Sequence, residues 1–488
     1  MYASSAASAS RRSLASRSCR AIAVLTTLGF GGTRWISAVP KGKFSRAAAP
    51  WYRTYSMAAS SAVWNNPIHF RWWVSRSVIS ATHVPHERSR TLRTSGIIYI
   101  PYCQCKMLPV PQPYHHLNSW LQIAVTPMIQ ELNLVVWRKE EMFGLQKRNK
   151  KPTFSFPCTL LSDRCRDSIQ NIRLANCVLR PTCQLGLPSL KTLDLHNVYI
   201  TGDELGCLLS NSFALEQLKL VFCHDIIHLE IPCLLQRFSF LEVLACSSLE
   251  VIQNKAPNLS RFWFTGNQVQ ISLGDSLNVK NLKLDHSCSI SYAIDTLPSG
   301  VPNLETLTIN STREIANAPM ASSKFLHLKV LCINIFGSNF HRDYDYLSFV
   351  SFFDASPSLE TFRLYVGRQF NYDSFEGDSS SLRRIPEHRH GNLKSVKITG
   401  FCPQKSMLEL TRDILQNAAS LERLTLDASP VNYRCSGNIL GSKCFPMQTA
   451  YIREAHKSIL AVRTYIESKV PSKVKLNVLE PCSRCHPL

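Results

Sequence analysis

The chain has 488 residues, with 55 Lys or Arg against 34 Asp or Glu, and its formal net charge is +21 at pH 7. Hydrophobic residues make up 45% of the sequence, which is enough for a sizeable core and excludes wholesale disorder. Charged residues make up only 18%, which argues against a long coiled coil, and no run approaches the ~20 apolar residues that a spanning helix needs.

The basic charge is concentrated at the N-terminus. Residues 1–110 carry 15 Lys or Arg and one acid, Glu87, and so hold +14 of the total. Arg, Ser and Ala without acids are the composition of a mitochondrial or plastid transit peptide. A structureless tail, a wrongly translated exon, or a secretory signal with residues 21–32 as its apolar region would explain the same composition. We predict a disordered or irregular basic leader over residues 1–115.

The body of the chain repeats one spacing, in which apolar residues occupy the first, fourth and sixth positions. Successive copies begin 18 to 40 residues apart, mostly in or near the ~20–29 range of leucine-rich repeats. The last two apolar residues alternate on a strand and point inward, and neighbouring copies must stack because one copy cannot bury its own face. The twelve copies begin at Ile129, Ile169, Leu190, Leu215, Leu241, Leu259, Val279, Leu304, Leu328, Leu359, Leu393 and Leu421.

The repeat pattern continues with Asn or Cys three residues after the last apolar position. Three copies hold Asn or Cys there and three hold a small polar substitute, while the other six depart from the pattern. The fifth copy is degenerate, with Leu241, Leu244 and Cys246 as its apolar residues. The residues at the Asn or Cys position are Cys177, Cys223, Asn267, Ser287, Thr312 and Ser429.

Helical patterns separate several copies. Residues 201–211 predict a short helix with Leu205, Leu208 and Leu209 inward, and residues 345–353 show another apolar helical face. Ser406 and Glu409 match a capping box ahead of a further helix. After the loop-like segment 430–446, residues 447–470 have amphipathic spacing and Val474, Leu476 and Val478 alternate as a closing strand.

These elements predict an α/β leucine-rich-repeat solenoid, a curved parallel sheet with helices or turns on its outer face. We place the repeat array at residues 116–430 and a C-terminal cap at residues 431–488. A terminal element of different type covers the last apolar face of such an array.

From about His116 onward, the chain resembles plant F-box proteins with leucine-rich repeats, particularly grass members with an FBD-like C-terminal region. The stretches that carry the resemblance are 117–127, 202–212, 354–361, 386–394, 421–426 and 474–486. The resemblance implies a substrate-recognition subunit of a cullin–RING ubiquitin ligase, docked on a Skp adaptor through an F-box. No F-box is recognisable before Trp120, because Leu108-Pro109 is followed by a Pro-rich segment that cannot start its helix. The alternative is a free-standing repeat scaffold.

Other motifs have simpler interpretations than catalysis or metal binding. Cys482, Cys485 and His486 match a haem-attachment spacing and half of a zinc site, but a tail with free thiols explains them more simply. The pair Cys103 and Cys105 is even weaker evidence for a haem or metal site. The run 388–390 predicts an exposed turn before the strand at Leu393. We assign no catalytic residue, no cofactor and no metal, and we expect the chain not to be an enzyme.

The 18 cysteines are dispersed, and several, such as Cys177, Cys207 and Cys332, lie in apolar runs. This distribution favours mostly unpaired thiols in a reducing compartment. We therefore expect the cytoplasm or nucleus, with a mitochondrion or plastid as the alternative if the leader is a transit peptide.

The predicted function is recognition of a protein partner by the strand face of the array. The partner is unknown, a Skp adaptor is expected only with a divergent F-box, and no membrane is expected. Nucleic-acid binding through the basic leader, where Arg and aromatic residues interleave from Phe70 to Arg76, ranks last, because charge with scattered Trp is weak evidence for it. Ordinary solvated strand residues are the alternative interpretation of each candidate contact. The candidate contacts are Lys191, Asp194, Lys219, Arg261, Lys283 and Arg363.

Overall fold

The computed structural model describes the backbone of residues 78–84 and 93–100, and residues 115–136, 154–274, 277–314, 318, 323–336, 344–367, 374–383, 389–429 and 447–482. The chain divides into two compact units, Met1–Arg237 and Phe238–Leu488. This division falls inside the predicted repeat array, and the predicted boundaries after residues 115 and 430 stay predictions.

The first unit is built on parallel strands. Its strands are β1 (Val78–Val84), β2 (Arg93–Ile100), β3 (Glu131–Val136), β4 (Ser155–Phe156), β5 (Asn171–Ala175), β6 (Val178–Leu179), β7 (Thr192–His196), β8 (Gln217–Val221) and β9 (His228–Ile231). Its helices are α1 (His115–Ala124), α2 (Thr159–Arg164) and α3 (Gly202–Ser210). Strands β2, β3, β5, β7 and β8 pair in that order and in parallel, β1 pairs antiparallel with β2, and β4 pairs with β6.

The second unit repeats the same arrangement. Its strands are β10 (Phe240–Leu244), β11 (Val251–Asn254), β12 (Arg261–Thr265), β13 (Gln270–Ser272), β14 (Asn281–Asp285), β15 (Thr306–Ser311), β16 (Val330–Ile335), β17 (Thr361–Val366), β18 (Ser395–Thr399), β19 (Arg423–Asp427) and β20 (Lys475–Leu479). Its helices are α4 (Ser289–Gly300), α5 (Val350–Ala355), α6 (Lys405–Asn417) and α7 (Thr449–Tyr465). Strands β10, β12 and β14 to β20 pair in that order and in parallel, and β11 pairs with β13.

The predicted α/β leucine-rich-repeat fold is confirmed. Each of the twelve predicted copies coincides with a parallel strand, and in all but the fifth copy the predicted apolar residues are buried. In β7 and β8, for example, Leu193 lies beside Leu218 and Leu195 beside Leu220. Because equivalent residues meet at every step, the buried leucines of successive repeats form one continuous layer within each unit.

The predicted frame of the fifth copy is wrong. The buried residues are Phe238, Leu241 and Val243, and Val243 lies beside Phe264 of β12. Leu244 falls on the opposite side of β10 and is only half-buried. The local run of apolar residues fits two frames, and pairing with β12 selects between them because side chains alternate along a strand.

The Asn or Cys position, three residues after the last apolar residue of each copy, is buried in some repeats. Cys177, Cys223 and Ser429 are buried there, and the Cys223 thiol donates to the Leu195 carbonyl oxygen at 3.5 Å. The corrected frame of the fifth copy adds Cys246, which is also buried. In three other repeats the residue at this position is exposed instead of buried: Asn267, Ser287 and Thr312.

The predicted helices are present, with two differences. The segment 345–353 forms a short 3-10 helix, Tyr346–Phe349, followed by α5, and α6 starts at another residue than predicted. Helix α3 begins after Thr201, and Leu205, Leu208 and Leu209 are buried as predicted. Helix α6 begins at Lys405 after Gln404, so the predicted capping box is wrong. Its members have tertiary partners instead, because Ser406 donates to the Tyr344 carbonyl oxygen and Glu409 binds Arg383.

The C-terminal elements also follow the sequence pattern. Helix α7 buries Ile452, Ala455 and Ile459. Strand β20 sets Leu476 beside Leu424 and Val478 beside Leu426. The predicted loop 430–446 lies outside the described residues.

Two parts of the structure differ from the sequence-based expectation. Strands β1 and β2 lie within the leader predicted to be irregular, and the rest of residues 1–114 lies outside the described residues. Cys183 and Cys207 form a disulfide, so the interpretation of Cys207 as unpaired is wrong. The fold brings the two together across 24 residues, and Asn211 donates to the carbonyl oxygens of both. Among the described helices, none combines the length and apolarity that crossing a membrane requires.

Candidate functional site

Each strand of the second unit buries the side chains of one side in the core. The side chains of the opposite side, here called outward, form aligned rows. In β12, Phe262 and Phe264 are buried while Arg261 and Trp263 are exposed, which follows from the two-residue period of a strand. Parallel pairing in register then places Arg261 beside Asn281, and Trp263 beside Lys283. The outward residues therefore form rows that run across the strands from β10 to β20. Two rows pass through Arg261 and Trp263, and a third row beside them includes Asp285, Tyr365 and Asp427.

The two rows through Arg261 and Trp263 carry predominantly positive charge. Glu242 is their one acidic residue, whereas six are cationic. Five of the six are exposed and Lys283 is half-buried, and none forms an ion pair with a residue that the structure describes. We call this set the basic sheet face: Arg261, Lys283, Arg363, Lys397, Arg423 and Lys475.

The residues just before the strands behave differently. Lys280 lies 3.0 Å from Glu305, which also reaches Lys329 at 3.7 Å, and Lys394 lies 3.1 Å from Glu360. The hydrogen bond from Lys280 is the main cause that lowers the pKa of Glu305. In this neighbouring row, lysines and glutamates pair and their charges cancel, whereas the charges of the basic sheet face do not cancel.

Aromatic side chains accompany the first cations. The Arg261 guanidinium lies 4.8 Å from the ring centre of Phe240, and the Lys283 ammonium lies 5.8 Å from that of Trp263. Phe240 and Trp263 meet edge to face at 5.0 Å. Trp263 is 38% exposed, so this cluster offers an apolar surface surrounded by positive charge.

A second aromatic pair lies near the other cations. Phe336, which follows β16 and is 37% exposed, packs at 5.1 Å against Tyr365 of β17. Tyr365 is two residues from Arg363 on the same side of the strand. Between the two clusters, β15 and β16 present uncharged residues to the rows: Thr306, Thr308, Val330 and Cys332. Burial raises the pKa of the Cys332 thiol, which keeps it neutral.

The equivalent face of the first unit has balanced charge. Arg173 of β5 and Asp194 of β7 form an ion pair at 3.4 Å, and Lys219 of β8 lies beside Asp194. Glu131 of β3 offsets the remaining charge. The contrast with the second unit is in the outward residues, since both faces are built on the same repeat.

The six predicted contact residues are distributed over both units. In the first, Asp194 and Lys219 are neighbours at the middle of their strands, whereas Lys191 precedes β7 and its backbone bonds to Gln170 and Glu216. In the second, Arg261 and Lys283 flank Trp263, and Arg363 lies three strands beyond Lys283. Sequence reasoning missed Trp263, Lys397, Arg423 and Lys475, which occupy the same outward positions between apolar residues and could have been found from that spacing.

The other predicted motifs do not assemble a site. His390, predicted to be exposed, is buried and packs 5.2 Å from Phe353, while His388 lies outside the described residues. Cys485, His486, Cys103 and Cys105 lie outside them as well. Within the described ranges, no group of three or more His, Cys, Asp or Glu side chains could hold a metal ion.

One groove in the second unit is a weaker candidate. It has a volume of about 650 Å³ and is wide open, between the turns that follow β10 and β12. Its lining includes Glu250, Asn267 and Tyr292. Burial raises the pKa of Tyr292, so its hydroxyl is not poised to act as a base near neutral pH.

Comparison with known proteins agrees with the repeat architecture. No curated protein matches the chain at a significant level. The family described as "At1g61320/AtMIF1, LRR domain" matches residues 99–483, which include every repeat and the C-terminal elements. The description names a leucine-rich-repeat domain and no F-box. The chain therefore belongs to this plant leucine-rich-repeat family.

Proposed function

We propose that this protein is a non-enzymatic recognition protein that binds a protein partner on the outward strand face of its second unit. The observation that supports this most directly is Trp263, a large aromatic side chain left 38% exposed between Arg261 and Lys283. Trp and Arg are the residue types most often found where binding energy is concentrated at protein interfaces. Strand faces of repeat proteins serve as extended binding surfaces.

The test compares partner capture by matched variants of the full chain. Trp263→Ala removes the exposed aromatic from the face, and Leu460→Ala removes a 64% exposed apolar side chain from α7, away from it. Proteins captured from plant extract are quantified by mass spectrometry. We expect specific partners to be lost with Trp263→Ala and retained with Leu460→Ala. Equal capture by both variants and the wild type would overturn the proposal.

We further propose a link to a ubiquitin ligase, supported by the resemblance of residues 117–127 and 474–486 to F-box proteins with repeats. The full chain is co-expressed with a plant Skp adaptor and analysed by gel filtration. Co-elution that is lost on deletion of residues 1–115 is the expected result. Separate elution of a well-folded chain would contradict this link and favour a free-standing scaffold.

We propose the cytoplasm or nucleus as its location, supported by the dispersed positions of the 18 cysteines and by the free thiols of Cys165 and Cys177 in the buried core. A mitochondrion or plastid is the alternative suggested by the composition of the leader. A C-terminal fluorescent fusion, imaged in plant cells and sized by immunoblot, distinguishes them. Import would give an organellar signal and a chain shortened by about 40–60 residues.

A further inference from the structure

We propose that the basic sheet face binds an acidic polypeptide segment whose two acidic clusters are separated by about four uncharged residues. This inference rests on the proposed function, because it names the chemistry of the partner that the same face would take. It is carried by the arrangement of the six cations and by the charge compensation of the row just before the strands.

The positive charge is available to a partner. Lys280, Lys329 and Lys394 already have carboxylate partners, whereas the basic sheet face has none among the described residues. Six cations face Glu242 on the same two rows, and Asp285 and the buried Asp427 on the row beside them, which leaves a clear excess of positive charge. Such a face steers and orients an acidic partner, and like charge disfavours basic ones.

The cations form two clusters. Arg261 and Lys283 lie on β12 and β14, and the other four lie on the consecutive strands β17 to β20. Three strand steps separate β14 from β17, or roughly 14 Å at about 4.8 Å per step. An extended polypeptide that crosses the strands covers this distance in about four residues at roughly 3.3 Å each.

The uncharged interval favours a polypeptide over a nucleic acid. Thr308, Val330 and Cys332 would lie opposite the middle of the ligand. A polypeptide can place uncharged side chains there, whereas a nucleic acid carries a phosphate at every nucleotide. In addition, Lys283 lies over Trp263 and Phe240 packs against its ring, so this indole is not an open platform for base stacking.

The probe is a labelled synthetic peptide with two Glu blocks separated by about four Ser and Val residues. A peptide of the same composition with one contiguous Glu block controls for spacing, and an oligothymidine of equal charge controls for nucleic acid. Fluorescence anisotropy with the full chain measures each affinity at several salt concentrations. We expect the two-block peptide to bind most tightly and its affinity to fall as salt rises.

Matched triple variants test the face. Arg363→Gln, Lys397→Gln and Arg423→Gln remove three charges from it, and Lys405→Gln, Arg453→Gln and Lys469→Gln remove three exposed charges elsewhere. We expect the first set to weaken peptide binding by about tenfold or more and the second by less than about twofold. Circular dichroism confirms that both remain folded.

Three results would overturn the inference: equal weakening by both triple variants, equal affinity for the contiguous peptide, or tighter binding of the oligothymidine. If captured partners depend on Trp263 while the two-block peptide fails to bind, the inference fails and the proposed function stands. If no captured partner depends on Trp263, the proposed function fails as well.

Discussion

Arg383 and Glu409 form an ion pair whose two members differ sharply in exposure. A guanidinium nitrogen lies 2.6 Å from the Glu409 carboxylate, whose side chain is fully buried, while the Arg383 side chain is 50% exposed. The same guanidinium contacts Asp345 at 2.7 Å. Hydrogen bonds to Asp345 and to Glu409 hold the pKa of the guanidinium above its ordinary value.

We expect Arg383→Ala to destabilise the protein by about 2 kcal/mol, because it leaves the Glu409 carboxylate buried without its cation. The loss is smaller than the roughly 3–5 kcal/mol expected for a fully buried pair, since the Arg383 side chain is half exposed and its backbone N–H still donates to Glu409. Urea unfolding measures the change. Lys394→Ala, which breaks an exposed pair with Glu360, should cost less than about 1 kcal/mol. Similar losses for both variants would contradict the prediction.

Two glycines should respond to alanine in opposite directions. Gly400 has a φ of +75° and an added Cβ would clash with the Val366 carbonyl oxygen, so Gly400→Ala should destabilise by about 2 kcal/mol or more. Gly206 lies inside α3 with no atom within 4 Å of an added Cβ, so Gly206→Ala should stabilise by up to about 1 kcal/mol. Thermal unfolding of the two variants checks the signs, and a stable Gly400→Ala protein would refute the steric argument.

The start of α3 predicts a measurable capping energy. The Glu204 N–H donates to the Thr201 hydroxyl at 3.3 Å, and the Thr201 N–H donates to the Glu204 carboxylate at 2.8 Å. Thr201→Ala removes the first of these bonds and should cost about 1 kcal/mol. Gln448→Ala at the start of α7 is the control, because that side chain makes no capping bond and its loss should be close to neutral. Chemical denaturation of both variants distinguishes a capping effect from a general cost of truncation.

The buried Glu314 should make the stability of the protein fall as pH rises. Burial raises its pKa above the ordinary 4.5, although its carboxylate accepts from Ser311 at 2.7 Å and from the Ile290 N–H at 2.8 Å. The unfolded chain therefore ionises first, and the stability that Glu314 contributes is greatest at low pH and falls as pH rises above about 4.5. We expect wild type to lose stability relative to Glu314→Gln between about pH 4 and pH 7, measured by urea unfolding at each pH.

Glu305 is the control for this titration, because its contribution to stability should change with pH in the opposite direction. The pKa of Glu305 is lowered, chiefly by the hydrogen bond from Lys280, so its contribution is present above the ordinary pKa and is lost as pH falls. Wild type should therefore gain stability relative to Glu305→Gln over the same interval, by a small amount because the group is exposed. A parallel pH profile for the two variants would show that the burial of Glu314 does not govern its titration.

Much of the fold could be predicted because each repeat is a local pattern. The spacing of Leu193 and Leu195 predicts a strand with one buried side, and the spacing in 201–211 predicts α3. The outward positions of the candidate site, including Arg261 and Lys283, follow from the same alternation. Strands β1 and β2 escaped prediction because their stretches show no such period, and backbone pairing forms them.

By itself, the sequence determined the class of fold, the buried residues of most repeats and the amphipathic helix after the array, since these depend on spacings within one repeat. Only the tertiary structure decided which residues of different repeats meet. Repeat lengths vary, so the pairing of strands sets the frame of β10, brings Cys183 to Cys207, joins Arg383 to Glu409 and places Lys283 over Trp263. The charge of the sheet face arises at this level, because it depends on which outward side chains the register aligns and which of them already have partners.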